Sequence, residues 1–460
     1  MNTRLTVAAG VLVALNALPL VSAQCQTTSG LSWRHKPDVK DNAISANVIA
    51  NGLTKPRSVR WANDTLIVVD QGVGLVAFVE GGNDCANGWS KSVLVQNTDL
   101  NHGLAIQGST IYASSVDNVF RYTINWSNRS VSSPETIIQG MNLAQNHKTR
   151  TLELYENWIL VSGGASGNLE DESVDASHGT AQIRRFALNG TVPSGGYRWF
   201  DGELVSFGMR NAVGITMGAD GRHLWTVENS ADQLNYTSGG NLVDIHKDNP
   251  SEELNVVDMN SIGNFYGYPN CFTAWDMGSV VSGTSLATGD QFSIVPNVTD
   301  AQCGNTTYNT PPRLSMQAHS APLDIQFYKA DGVDENVAVT KDWNTHAFVS
   351  FHGSWNRDPP TGYGIVRIPW SGNEPSAKAD AKDGYSFILQ ASDLAACPNG
   401  CFRPVGLAFD SRGRLFGTSD TTGELFVIHK ATAASAALRM ASSSTWFIII
   451  TTFMAAYVIT

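Results

Sequence analysis

The chain predicts an all-β fold: a six-bladed β-propeller with four-stranded antiparallel blades and a long insertion around the fourth to fifth blade. Three observations lead there. A polar or cationic residue followed by two short apolar strands recurs six times, at a spacing of about 45 residues or more. A third strand usually follows each pair, and a fourth often leads into the next repeat. The run ISANVIA near the N-terminus can supply the outer strand that the last repeat lacks.

Taken in order, Pro56-Arg57 precedes SVRW, then TLIVVD, GLVAFVE and SKSVLVQ. Asn101-His102 precedes GLAI, then STIYAS, NVFRYTI and PETIIQG. His147 and Arg150 open TRTLEL, then NWILVS, AQIRRFAL and GELVSFG. Arg210-Asn211 precedes AVGITM, then HLWTVEN, after which the largest insertion runs from about Tyr236 to Ser320. His319 to Pro322 precedes LDIQFY, then HAFVSFHG, GIVRIPW and YSFILQ. Arg403-Pro404 precedes VGLAF, then RLFGTSD and ELFVIHK.

Both ends read as addresses rather than fold. Residues 1–23 carry Arg4, an apolar core and small residues before Gln24, the pattern of a secretory signal peptide. Residues 24–430 are then the propeller. Residues 431–460 are a linker of small residues, a polar spacer and an apolar tail, the pattern of a glycolipid-anchor signal attached near Ser435. The alternative is a C-terminal transmembrane helix, for which the tail Trp446 to Thr460 is short. Localisation is therefore expected to be extracellular, with the membrane touched only through the anchor.

Composition agrees with export. Six cysteines suit an oxidising compartment, and Cys397 with Cys401, Cys271 with Cys303, and Cys25 with Cys85 are the expected pairs. A metal site at Cys397 and Cys401 is the rival reading, but no His or second thiol pair lies beside it. Asn63, Asn125, Asn128, Asn189, Asn235, Asn297 and Asn305 each begin an Asn-x-Ser/Thr triplet and belong on surface loops. A net charge of −11 argues against nucleic acid as partner. No dinucleotide fingerprint, phosphate loop or nucleophile elbow is present.

Topology converts the repeats into chemistry. In such a blade the loop before the innermost strand and the loop between the second and third strands share one face. Arg57, His102, His147, Arg210 and Arg403 should ring the mouth of one channel, with Arg150 and Arg357 on the same loops. Each arginine can instead pair with an Asp or Glu to tie blades together. Few carboxylates lie adjacent in sequence, which favours an anionic ligand whose carboxylates the guanidinium forks would hold.

The stretches NHKTRTLEL, GMRNAVGI, NPSEELN with GNFYGYP, HGSWNR with GYGIVRI, and FRPVGLAFDSRGRLFGTSD resemble the motifs of pyrroloquinoline-quinone sugar dehydrogenases, closest to the secreted fungal pyranose or sorbosone dehydrogenase-like branch. The likeness runs from about Gly52 to His429 in unbroken order. It implies a quinone across the channel mouth, a calcium ion bridging quinone and protein, a small sugar oxidised at its anomeric carbon, and a separate electron acceptor such as a cytochrome or another quinone. It makes His147 the general base and Arg210 its catalytic partner. Arg57, His102, Arg150, Arg210, Asn211, His352, Trp355, Asn356, Arg357 and Arg403 become the cofactor-binding set. The base role also follows from chemistry, since imidazole titrates near working pH. Trp355 can stack on a ring or lie between blades.

For the metal, Glu228, Asn229, Ser230, Ala231 and Asp232 offer hard oxygen atoms where some bacterial relatives place Gly-Pro. The same residues are also ordinary turn formers. Two other functions stay open: a calcium-dependent lactonase-type hydrolase, and a non-catalytic cell-surface propeller that binds a ligand.

Overall fold

A computed structural model describes residues 31–81 and 88–431, together with the backbone of a short strand at Gln24–Thr27. The secretory and anchor segments and Cys85 lie outside the described residues, and Cys25 is described in backbone only, so its pairing with Cys85 is not addressed. Among the described residues, no helix is long and apolar enough to cross a membrane.

The six expected repeats are six sheets, antiparallel but for a short parallel edge strand on the second and third. The innermost strands are β1 (Pro56–Ala62), β2 (Leu100–Gln107), β3 (Leu152–Tyr155), β4 (Ala212–Met217), β5 (Pro322–Phe327) and β6 (Pro404–Phe409). Most of their residues are buried, though Leu152–Tyr155 is buried only at Leu152, and their Val, Ile and Leu suit a pleated, covered surface. Each is followed by a short turn and a second buried strand, so the blades grow outward by hairpins.

Ring closure follows expectation. Ile44–Ala50 pairs antiparallel with Glu424–Lys430 as the outer strand of the last blade, from Ile44 opposite Lys430 to Ala50 opposite Leu425. Apolar side chains then fill the wedges between blades. Phe348, Ile365, Phe402 and Phe426 meet between the fifth and sixth blades, and Val68, Phe78, Trp89 and Phe416 between the sixth and first. Each such side chain contributes on the order of 1.5–3 kcal/mol through burial. At the axis the inner strands approach so closely that Gly406 lies against the backbone of Arg57 and Ser58, and Gly103 against that of Arg150. A Cβ at either place would collide with main chain, so the strands could not converge.

Cys271 bonds Cys303 within the insertion, and Cys397 bonds Cys401. The first pair closes the segment running between the third and fourth strands of blade four, Glu252–Asp258 and Leu314–Met316. All seven triplet asparagines are exposed, as expected.

Candidate active site

Two kinds of loop meet at the face where the innermost strands begin. His147, Arg210, His319 and Arg403 come from loops leading into β3, β4, β5 and β6. Asn229–Asp232 and Gly353–Asn356 come from loops after the second strands of the fourth and fifth blades. Together with Asn211, Glu252 and His352, all of these but Ala231 line a cavity of about 240 Å³. A larger cavity of about 670 Å³ lies along the seam of the first and last blades, lined by Trp33, Trp89, Arg414 and His429. It gathers none of the expected site residues.

His147 is held as a neutral base. Its Nδ1 lies 2.7 Å from the Ala165 carbonyl, so that nitrogen donates and Nε2 keeps its lone pair. Burial, helped by the positive charge of Arg210, lowers its pKa from the ordinary 6.5 to about 4. Gly164 allows the close approach, since a side chain there would strike His147 and Asn211.

Arg210 is enclosed by oxygen. Its Nε donates to Asn168 O at 3.0 Å, one terminal nitrogen to Ser230 O at 2.6 Å and Asn229 O at 3.2 Å, and the other to Asn168 Oδ1 at 2.9 Å and Asp232 Oδ2 at 3.2 Å. Its backbone N–H donates to Glu228 Oε1 at 2.6 Å. These oxygens include the carbonyls of the segment expected to hold calcium. Glu228 is turned inward, and burial together with the neighbouring Glu253 charge raises its pKa well above the carboxylate range. Ala231 joins an apolar cluster with Leu234 and Phe272, and the Asn229 side chain donates to Pro322 O at 2.6 Å. As folded, Asn229, Ser230 and Asp232 bind a guanidinium while Glu228 and Ala231 turn away from it, so the five residues form no open oxygen cage. Among the described residues no group of three or more His, Cys, Asp or Glu could hold a metal.

The arginine ring divides. Arg403 reaches the cavity, donating to the carbonyls of His352 and Gly353, each at 3.0 Å, and lying over the Tyr363 ring. No carboxylate pairs with it among the described residues. Arg57 instead binds Asp420 at 2.6 Å, deep in the channel wall. Arg357 binds Asp248 at 2.6 Å and ties the fifth blade to the fourth-blade insertion. Arg150 turns into its own loop, donating to the carbonyls of Met141, His147 and Thr149. His102 lies inside β2 rather than before it and is buried, with Nδ1 unpartnered; burial and Arg57 push its pKa well down. His352 reaches the cavity and is oriented by Asp420, 2.8 Å from its Nε2. Asn356 donates to Asp232 Oδ1 at 2.8 Å, while its own Oδ1 is buried without a partner. Trp355 stands at the rim, 65% exposed.

Glu252, His319, Asp420 and Asn168 were not singled out by sequence. Glu252 accepts from the Ser230 and Ala321 N–H groups, and burial raises its pKa to about 7. His319 adopts a left-handed φ of 66° and donates from Nε2 to His246 O at 2.5 Å. Burial alone would lower its pKa, but Asp232 and that carbonyl outweigh it and raise it. The motif NPSEELN contains Glu252, and His319 opens the stretch leading into β5, so a signal existed for both.

A family model described as TrAA12-like matches residues 38–431. A Hypocrea jecorina protein named pyrroloquinoline quinone-dependent sugar dehydrogenase is 36% identical, over 89% of this chain and 93% of that protein. A Coprinopsis cinerea protein named pyrroloquinoline quinone-dependent pyranose dehydrogenase is 32% identical over 85% of this chain, which spans only 54% of that longer relative. The solved holo form of the quinone domain of pyranose dehydrogenase from Coprinopsis cinerea superposes with a TM-score of 0.78 at 31% identity, covering 86% of this chain and 98% of the domain.

Proposed function

Because the chain belongs to the TrAA12-like family, we propose that it is a pyrroloquinoline-quinone-dependent oxidoreductase that oxidises a pyranose at its anomeric carbon. One observation carries the reading: a neutral histidine with a free Nε2 faces the same cavity as Arg403, a half-buried guanidinium that forms no ion pair among the described residues, Asp420 acting on it only at longer range. An unpaired cation in a partly dry site favours an anionic occupant. The tricarboxylate quinone fits that demand, with Arg403 and the raised-pKa His319 as its natural partners and Asn211, His352 and Asn356 as hydrogen-bonding groups. Bound there, the quinone supplies a hydride acceptor.

The chain's own residues do the rest. His147 Nε2 takes the proton from the anomeric hydroxyl as hydride leaves the same carbon, so the departing pair of electrons is not opposed by O–H retention. The Ala165 carbonyl keeps the ring in the tautomer this needs. Arg210 and Arg403 place fixed positive charge where negative charge develops. Trp355 offers a flat apolar face to a sugar ring.

The loop does not fit calcium as it is folded, since Arg210 occupies the carbonyls of Asn229 and Ser230. Work outside the cell, secretion by residues 1–23 and a lipid anchor near Ser435 belong to the same proposal. The pair of disulfides and the seven exposed glycosylation triplets support the first of these. A separate electron acceptor completes the turnover.

The test is a titration of purified protein with the quinone, followed by visible absorption, then addition of pyranoses. Quinone uptake followed by sugar-dependent bleaching is expected. Absence of binding at micromolar quinone, with and without calcium, would sink the proposal.

A further inference from the structure

The loop over residues 164–181, between the second and third strands of blade three, holds both ends of the reacting machinery. Its Ala165 carbonyl fixes His147, and the Ala165 N–H donates to Arg210 O at 2.7 Å. Three residues later, Asn168 does something sequence gave no hint of. Its side-chain Oδ1 accepts from Arg210 at 2.9 Å and from the Asp232 N–H at 2.7 Å, while its Nδ2 donates to the Asp232 carbonyl at 2.7 Å. The amide thus pairs with Asp232 as a neighbouring strand would, using both peptide groups of one residue. The Asn168 backbone carbonyl accepts again from Arg210 Nε at 3.0 Å and from Tyr268 hydroxyl at 3.2 Å. Two of the oxygens around the guanidinium therefore come from one residue on a different blade.

We propose that Asn168 is a positioning residue for the oxidation: it clamps the Arg210 guanidinium and the Asp232 loop to the loop that carries the base's anchor. The inference rests on the sugar-oxidation reading for its kinetic consequence, but not for its geometric one. Neither sugar nor quinone need touch Asn168. Without its amide, Arg210 loses a bond while 6% exposed in its side chain, and Asp232 loses both bridges that hold its backbone. A charged donor left without its acceptor in such a site rearranges. The reporter is His147, whose proton affinity is set by burial and then by Arg210, with Asp232 and Glu170 opposing.

The experiment compares wild type, Asn168→Ala and Leu169→Ala, an exposed neighbour that serves as control. Nuclear magnetic resonance of labelled histidines follows the titration of His147 in the quinone-free protein, and steady-state kinetics follows the loaded enzyme. Asn168→Ala should raise the His147 midpoint by about half a pH unit or more as Arg210 swings away. It should lower kcat by about 10–100-fold, the loss of one charge-assisted bond, with KM for sugar little changed. Leu169→Ala should change neither. A folded Asn168→Ala protein with the wild-type His147 midpoint and wild-type kcat overturns the proposal. If Asn168→Ala does not fold, Asn168→Ser, whose hydroxyl is too short for either bridge, takes its place under the same criteria. Should the wild type oxidise no sugar at all, the proposed function fails while the titration arm still decides the role of Asn168.

Discussion

Replacing His147 by alanine isolates proton transfer from everything else the cavity does. The imidazole meets the protein through one bond, Nδ1 to Ala165 O at 2.7 Å, and presents Nε2 to the cavity. General-base catalysis is worth about 10²–10⁴ in rate, so turnover should fall at least about 100-fold, which is about 2.7 kcal/mol of barrier. Quinone affinity should barely change, because the cationic partners are elsewhere. The pH profile carries the sharper signature. A base with its pKa lowered to about 4 is unprotonated across the neutral range, so kcat/KM of the wild type should be flat above about pH 5 and fall tenfold per unit below 4. Linkage has a definite sign as well. Below the unfolded value of 6.5 the unfolded chain binds a proton that the folded chain refuses, so this histidine lowers stability progressively between pH 6.5 and 4, by about 3 kcal/mol in total. His147→Ala should therefore lose less stability on acidification than the wild type. Near-normal sugar oxidation by the variant at saturating quinone, or an unmoved acid limb, would refute the assignment and leave His352 as the next base, since it too lines the cavity.

Asp420→Asn strips the charge from a carboxylate that holds Arg57 and His352, and should destabilise by about 3 kcal/mol because a buried guanidinium is left unneutralised; Arg57→Met combined with Asp420→Leu should recover much of that, as read by urea denaturation. Trp355→Ala should raise KM for sugar about three- to tenfold through lost ring stacking, with quinone affinity intact, in steady-state assays. Calcium added to the quinone-free protein should give no heat of binding at micromolar concentration, since Arg210 already occupies the loop oxygens. A tight stoichiometric site there would show that the guanidinium yields to the metal.

Much of the blade pattern was legible because each strand is a local event. TLIVVD, GLVAFVE and ELFVIHK form strands over the very residues where the pattern placed them. Closure by ISANVIA was legible because one outer strand was missing and one spare strand existed. The position of His147 was legible, since a loop residue just before an inner strand must reach the channel mouth, and it lines the cavity there. Arg57 and Arg357 were misread for a physical reason. Scarcity of carboxylates nearby in sequence says nothing about a ring that brings Asp420 to Arg57 across 363 residues. The oxygen-rich segment 228–232 looked like a metal loop because sequence shows donors and not what fills the space between them. Asn168 was invisible, as its value depends on two loops from different blades meeting it.

The seam between Ile44–Ala50 and Glu424–Lys430 also sets a schedule. The strand made first among the partners must wait for one made 374 residues later, counted from 50 to 424. At about 5–20 residues per second that is roughly 20–75 s during which its hydrogen-bonding edge has no native mate. An unsatisfied edge is a template for foreign strands. Chains that stop short of residue 424 would keep that edge permanently, so premature termination late in the gene should yield sticky, chaperone-bound products rather than a five-bladed enzyme.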